Sequence, residues 1–118
     1  MSYVDGFLLP LPKRNAKAYV KLAKLACKVW KEHGALEYRE CIGEDLDPCG
    51  VRPFPKAAGA KRGETVVFAW IVYKSKKHRD QVNTKVMQDP RILKMMQQKM
   101  PVDIQRMFHG GFDVVVEA

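Results

Sequence analysis

Disulfide scaffolding is absent from this chain. Its 118 residues hold three cysteines, Cys27, Cys41 and Cys49, an odd number with no C-x-x-C spacing. Cys27 falls in an apolar helical stretch and reads as a small core residue. Cys49 sits in the turn sequence DPCG. A metal site built from Cys41, Cys49 and a histidine is disfavoured, because zinc ligands come in close-spaced pairs. No metal and no cofactor is therefore expected. Long apolar runs are missing too: none approaches the roughly 18 residues that span a bilayer, so no membrane partner is expected. The opening stretch carries Asp5 inside a short apolar run, ends in prolines and has no basic segment before it, unlike a secretory signal. With free cysteines, this gives a cytoplasmic expectation. Acidic residues are outnumbered, 13 against 21 Lys and Arg, for a formal net charge of +8. Such a charge attracts phosphates, but it serves solubility equally well. GAKRGET at 59–65 lacks the G-K-[ST] ending of a phosphate loop. No recognisable nucleic-acid-binding signature accompanies the basic residues.

What is present is a folding chain. Apolar residues make up 47% and charged residues 29%, which suits one domain over residues 1–118 with a single core. Residues 2–11, SYVDGFLLPL, read as a strand closed by Pro10 and Pro12. Over 13–33 the period becomes helical: Tyr19, Leu22, Ala23, Ala26, Val29 and Trp30 form one face. Asn15 is the expected N-cap and Gly34 the residue after the C-cap. Residues 35–43 alternate, with Leu36, Tyr38, Glu40 and Ile42 on one side and Glu37, Arg39 and Cys41 on the other. A long excursion over 44–63 contains Pro48, Pro53 and Pro55, with a helical turn near PKAAGA. ETVVFAWIVY at 64–73 is the firmest strand. Ser75 opens a second helix over 75–89, and 90–99 continues helically behind Pro90. A last strand is expected over 105–116. The order β-α-β-β-α-β is the ferredoxin-like α+β pattern, a four-stranded antiparallel sheet with helices on one face.

The third strand carries Val66, Phe68, Trp70 and Val72 on one face and Thr65, Val67, Ala69, Ile71 and Tyr73 on the other. Both faces are apolar, so both should be buried. Two helices cover one face only. A second copy of the sheet is the simplest cover for the other, which predicts a homodimer.

YVDGF at 3–7, Trp70 in the third strand, DPR at 89–91 and RM..GGF at 106–112 together resemble the YbaA-like family of bacterial proteins of unknown function. The resemblance covers nearly the whole chain. It implies the dimeric α+β barrel fold, a superfamily that includes cofactor-independent monooxygenases, lactone isomerases and haem-binding enzymes. It implies no catalytic residue, because no motif of those enzymes aligns here.

Asp5 interrupts an apolar strand and must find a partner if buried. A pocket lined by Asp5, Tyr38, Glu40 and Trp70, with His109 as a further candidate, is the expected small-molecule site. For Asp5 itself the favoured reading is structural: it begins a turn or pairs with an arginine that fixes strand register. His109 could act as a general base, with Asp113 on its strand face. The favoured reading makes it a rim histidine and gives Gly110 and Gly111 a purely structural role. Lys17, Lys21, Lys24, Lys28 and Lys31 recur at steps of four and three. They form either the solvated back of an amphipathic helix or a face for nucleic acid or an acidic partner. Small-molecule binding or turnover between sheet and helices is thus the leading expectation. The alternative is a non-enzymatic interaction module. Whether the chain is an enzyme is left open by the sequence.

Overall fold

The computed structural model describes residues 2–118. Four strands form one antiparallel sheet: β1 (Tyr3–Pro12), β2 (Glu37–Ile42), β3 (Glu64–Tyr73) and β4 (Phe108–Asp113). Their spatial order is β2-β3-β1-β4, with all three pairings antiparallel. The helices are α1 (Ala16–Glu32), α2 (Phe54–Ala58), α3 (Lys76–Met87) and α4 (Pro90–Met96). This is the ferredoxin-like α+β arrangement.

Strand period two divides the sheet cleanly. Tyr3, Asp5, Leu9 and Leu11 of β1 and alternate residues Thr65 to Tyr73 of β3 face α1, α3 and α4 and are buried. Apolar side chains of α1, among them Ala26 and Val29, close over them with Val82, Val86, Ile92 and Met95. The opposite face carries Leu8, Phe68, Trp70, Phe108 and Phe112. Three of its phenylalanines stand about half exposed, Phe68 at 45%, Phe108 at 55% and Phe112 at 60%. Helices are not confined to one face, as the alternation alone had implied. The excursion after β2 folds into α2, and its Phe54 packs on Phe68, ring centroids 5.7 Å apart. Val66, on the same open face, is buried.

Local signals explain most boundaries. Ser75 caps α3, its side chain accepting from the His78 amide at 3.0 Å. Asp89 caps α4 by accepting from the Arg91 amide at 2.9 Å, with Pro90 in the first turn. The same carboxylate accepts from the Arg91 guanidinium and pairs with His33 at 2.8 Å, so the DPR sequence ties the end of α1 to the start of α4. Asn15 holds the N-cap position of α1, as expected, but makes no side-chain capping bond; its amide donates to the Pro101 carbonyl at 2.8 Å. Strand β4 stops before the apolar run VVV that follows it, short of the 105–116 expected from sequence. Its register ends where Asp113 meets Tyr3 at the start of β1, so Val115 and Val116 have no strand beside them. Residues Ile104–Arg106 form a 3-10 turn behind an Asp103 cap.

Candidate functional site

A cavity of about 330 Å³ lies between the sheet and the helices. Its walls are mostly apolar, and into them project Asp5, Tyr19, Tyr38, Glu40, Tyr73 and His109. Four of the five pocket residues expected from sequence line it: Asp5, Tyr38, Glu40 and His109. Trp70 does not. It stands opposite Gly6 and Arg39, whereas Ile71 stands opposite Asp5 and Tyr38. Period two therefore turns Trp70 onto the other face of the sheet, where it meets Phe68 at 5.5 Å between ring centroids.

Two polar clusters divide the cavity. In the first, Glu40 accepts from the Tyr19 and Tyr38 hydroxyls, each at 2.7 Å. Burial, reinforced by the Glu40 carboxylate, raises both phenols above their usual range, so both stay protonated donors. In the second, Asp5 is only 1% exposed. Its Oδ1 accepts from Arg79 Nη1 at 2.6 Å and lies 3.4 Å from His109 Nε2. Arg79 supplies the counter-charge a buried carboxylate needs. It also lies over the Tyr3 ring, 5.0 Å from the centroid. The Tyr73 phenol is raised by burial and by the nearby Asp5 charge. Its hydroxyl donates to Asn83 Oδ1 at 3.3 Å, and the Trp30 indole donates to the same oxygen.

His109 therefore meets Asp5 across the β1–β4 pair rather than Asp113 along its own strand. Its ring stacks on Phe7 at 4.8 Å, and its side chain remains 45% exposed at the sheet edge. The neighbouring glycines have separate structural reasons. A Cβ on Gly111 would enter the Tyr3 ring, with Cζ and Cε2 at 2.8 and 2.9 Å. Gly110 and Gly6 lie under the Phe112 ring on the other face, at ordinary to tight contact.

Sequence periodicity missed Arg79, Tyr19, Tyr73 and Asn83. Arg79 could have been found by asking which arginine answers a buried Asp5. It was hidden because the two lie 74 residues apart. The five lysines Lys17, Lys21, Lys24, Lys28 and Lys31 all sit exposed on α1. Among the described residues, no three of His, Cys, Asp and Glu come together to hold a metal ion, and no helix is long and apolar enough to cross a membrane.

Residues 2–104 match the family described as "Protein of unknown function (DUF1428)", and the chain belongs to it. It is 42% identical over 117 residues to "Uncharacterized protein YbaA" of Escherichia coli (strain K12), covering 99% of each chain. The same figures hold for the protein of that description from Shigella flexneri. Among solved structures it is similar to "Structure of Rv0793 from Mycobacterium tuberculosis", with a TM-score of 0.61 at 13% identity, covering 100% of this chain and 99% of that one. That likeness supports the ferredoxin-like fold and nothing finer.

Proposed function

We propose that this member of a family of unknown function is a homodimer that binds a small apolar or aromatic molecule between sheet and helices, where Asp5 and His109 can move a proton. The observation that carries the reading is the cavity: an apolar space of about 330 Å³ onto which a buried carboxylate and a histidine converge. Arg79 fixes Asp5, and the Asp5 carboxylate faces His109 Nε2 at 3.4 Å, longer than a formed hydrogen bond. An imidazole beside a fixed carboxylate, which a ligand can draw into a closer contact, is the minimum equipment for general acid–base work. The Glu40–Tyr19–Tyr38 cluster, with both phenols held as donors, offers a second polar anchor for a ligand oxygen.

The dimer is supported by the open face. Its exposed phenylalanines, with Leu8 and Trp70, form an aromatic surface too extensive for a soluble monomer to leave bare without a use. A two-fold copy of the same sheet matches it in shape and chemistry.

Native mass spectrometry of the purified protein tests both parts. A mass of two chains with an added small mass, the latter lost in Asp5→Asn, is expected. A single-chain mass would sink the dimer. Failure to capture any small aromatic compound from a broad set, with the fold intact, would sink the cavity reading.

A further inference from the structure

A second, wider hollow of about 820 Å³ lies between α1 and α4. Arg14, Lys21, Arg91, Lys94 and Lys99 line it, and no carboxylate does among the described residues. Arg91 is occupied by Glu32 and Asp89. Arg14, Lys21, Lys94 and Lys99 make no ion pair among the described residues. Lysines spread over a helix back are ordinary, but here four uncompensated cations from two helices and the segments beside them converge on one concave surface. Leu22, Met95 and Met100 line this hollow and the inner cavity alike. The charged groove and the apolar cavity therefore meet at three flexible side chains, two of them methionines that repack easily.

We propose that the cavity's ligand is an organic phosphate: a small apolar body seated in the cavity, joined past Leu22, Met95 and Met100 to a multiply charged phosphate end in the α1–α4 groove. The inference rests on the cavity reading above and adds the ligand's charge and its direction of approach. A single carboxylate would need one cation. Four free cations around a hollow more than twice the cavity's volume suit a bulkier, multiply charged group.

The test uses two fluorescent probes of nearly the same aromatic body, neutral N-phenylnaphthylamine and its sulfonated relative anilinonaphthalene sulfonate. Both should bind the native protein. The sulfonated dye should bind about tenfold more tightly at low salt, the combined effect of several partly screened charge contacts. The triple variant Lys21→Gln/Lys94→Gln/Lys99→Gln should erase that preference. Lys28→Gln/Lys76→Gln/Lys77→Gln, with the same loss of net charge outside the groove, should keep it. Inorganic pyrophosphate, at fixed ionic strength, should displace the sulfonated dye and leave the neutral one bound. Because both dyes could also meet the open sheet face, the titrations are repeated in Phe68→Glu, where the preference should persist.

Equal affinity for the two dyes, equal loss in both triple variants, or loss of the preference in Phe68→Glu would overturn the inference while the cavity reading stands. A sulfonate preference that pyrophosphate cannot compete away would replace the phosphate by a singly charged end. If neither dye binds, the cavity reading falls and the inference falls with it.

Discussion

Gly111→Ala isolates the path from a bare backbone position to the candidate site. Gly111 lies on the helix-facing side of β4, opposite Asp5 in register. Its backbone is not in the left-handed region, so alanine brings no dihedral strain and the cost is steric. The new methyl would stand 2.8 and 2.9 Å from Tyr3 Cζ and Cε2, and closer still to the hydroxyl. Tyr3 is buried and carries Arg79 on its ring, so the ring cannot swing aside freely. Overpacking of this kind costs about 1–3 kcal/mol. A smaller unfolded-state gain of about 0.4–1 kcal/mol on replacing glycine offsets part of it. The net expectation is a loss of about 1–2 kcal/mol. Gly110→Ala is the internal control: its Cβ would sit 3.4 Å from Phe112, on the other face, and should leave stability unchanged or raise it by up to about 1 kcal/mol through the same unfolded-state gain. Urea unfolding at one fixed protein concentration measures both. Because Tyr3 supports Arg79, and Arg79 holds Asp5, Gly111→Ala should also weaken ligand capture while Gly110→Ala leaves it alone. Equal costs at the two glycines would refute the assignment of Gly111 to the Tyr3 contact.

Arg79→Gln leaves Asp5 buried without its guanidinium and should cost about 3–5 kcal/mol in the same unfolding assay. A neutral result would mean that Asp5 is satisfied by other groups. Phe68→Glu places a charge at the centre of the aromatic face and should give a single-chain mass by light scattering; a surviving dimer would move the interface elsewhere. Arg106 donates twice to Glu64, at 2.7 and 2.8 Å, and with the Lys61 amide lowers the Glu64 carboxyl from 4.5 to about 2. A carboxyl lowered on folding adds stability above its unfolded value, and that stability is lost as pH falls through the folded one. The melting temperature of Arg106→Gln should therefore trail the native protein's at neutral pH, with the gap closing between about pH 4.5 and pH 2. A gap independent of pH would assign Arg106 to its other bond, to the Gly59 carbonyl.

The alternating strands and long helices were legible because period two and period 3.6 leave different apolar patterns, and ETVVFAWIVY, apolar on both faces, was legible from its length and its β-branched and aromatic content. Its limits, Glu64–Tyr73, coincide with the strand. The start of α1 at Asn15 was legible too, but not the role of its side chain, whose amide donates to the Pro101 carbonyl, 86 residues away. One boundary was less legible, for a physical reason. The VVV run after Asp113 has strand propensity, but β1 begins at Tyr3, so only Val114 still finds a backbone partner, its amide donating to the Ser2 carbonyl at 3.0 Å. At the site, alternation placed Asp5, Tyr38 and Glu40 on strand faces but did not say which faces coincide. Cross-strand register decides that, and it sent Trp70 away from Asp5. The partners from helices, Tyr19 and Arg79, were invisible because helix-to-sheet packing leaves no short-range sequence signal.

Register also gives His109 a position shared by the two halves of the proposed function. It stands beside Asp5 in the cavity wall. It also borders a shallow depression on the open face formed by Leu8, Phe68, Phe108 and Phe112. It can reach both because β4 is an edge strand, where no further strand shields the histidine ring. In the free chain that side chain is nearly half exposed. A second copy laid over the aromatic face would cover the same edge. It would lower the local dielectric and strengthen the imidazole–carboxylate contact without touching either residue. In the proposed dimer, assembly and site chemistry would thereby be coupled through one side chain, beside which Gly110 and Gly111 let the Phe112 and Tyr3 rings pack against the backbone on opposite faces of the edge.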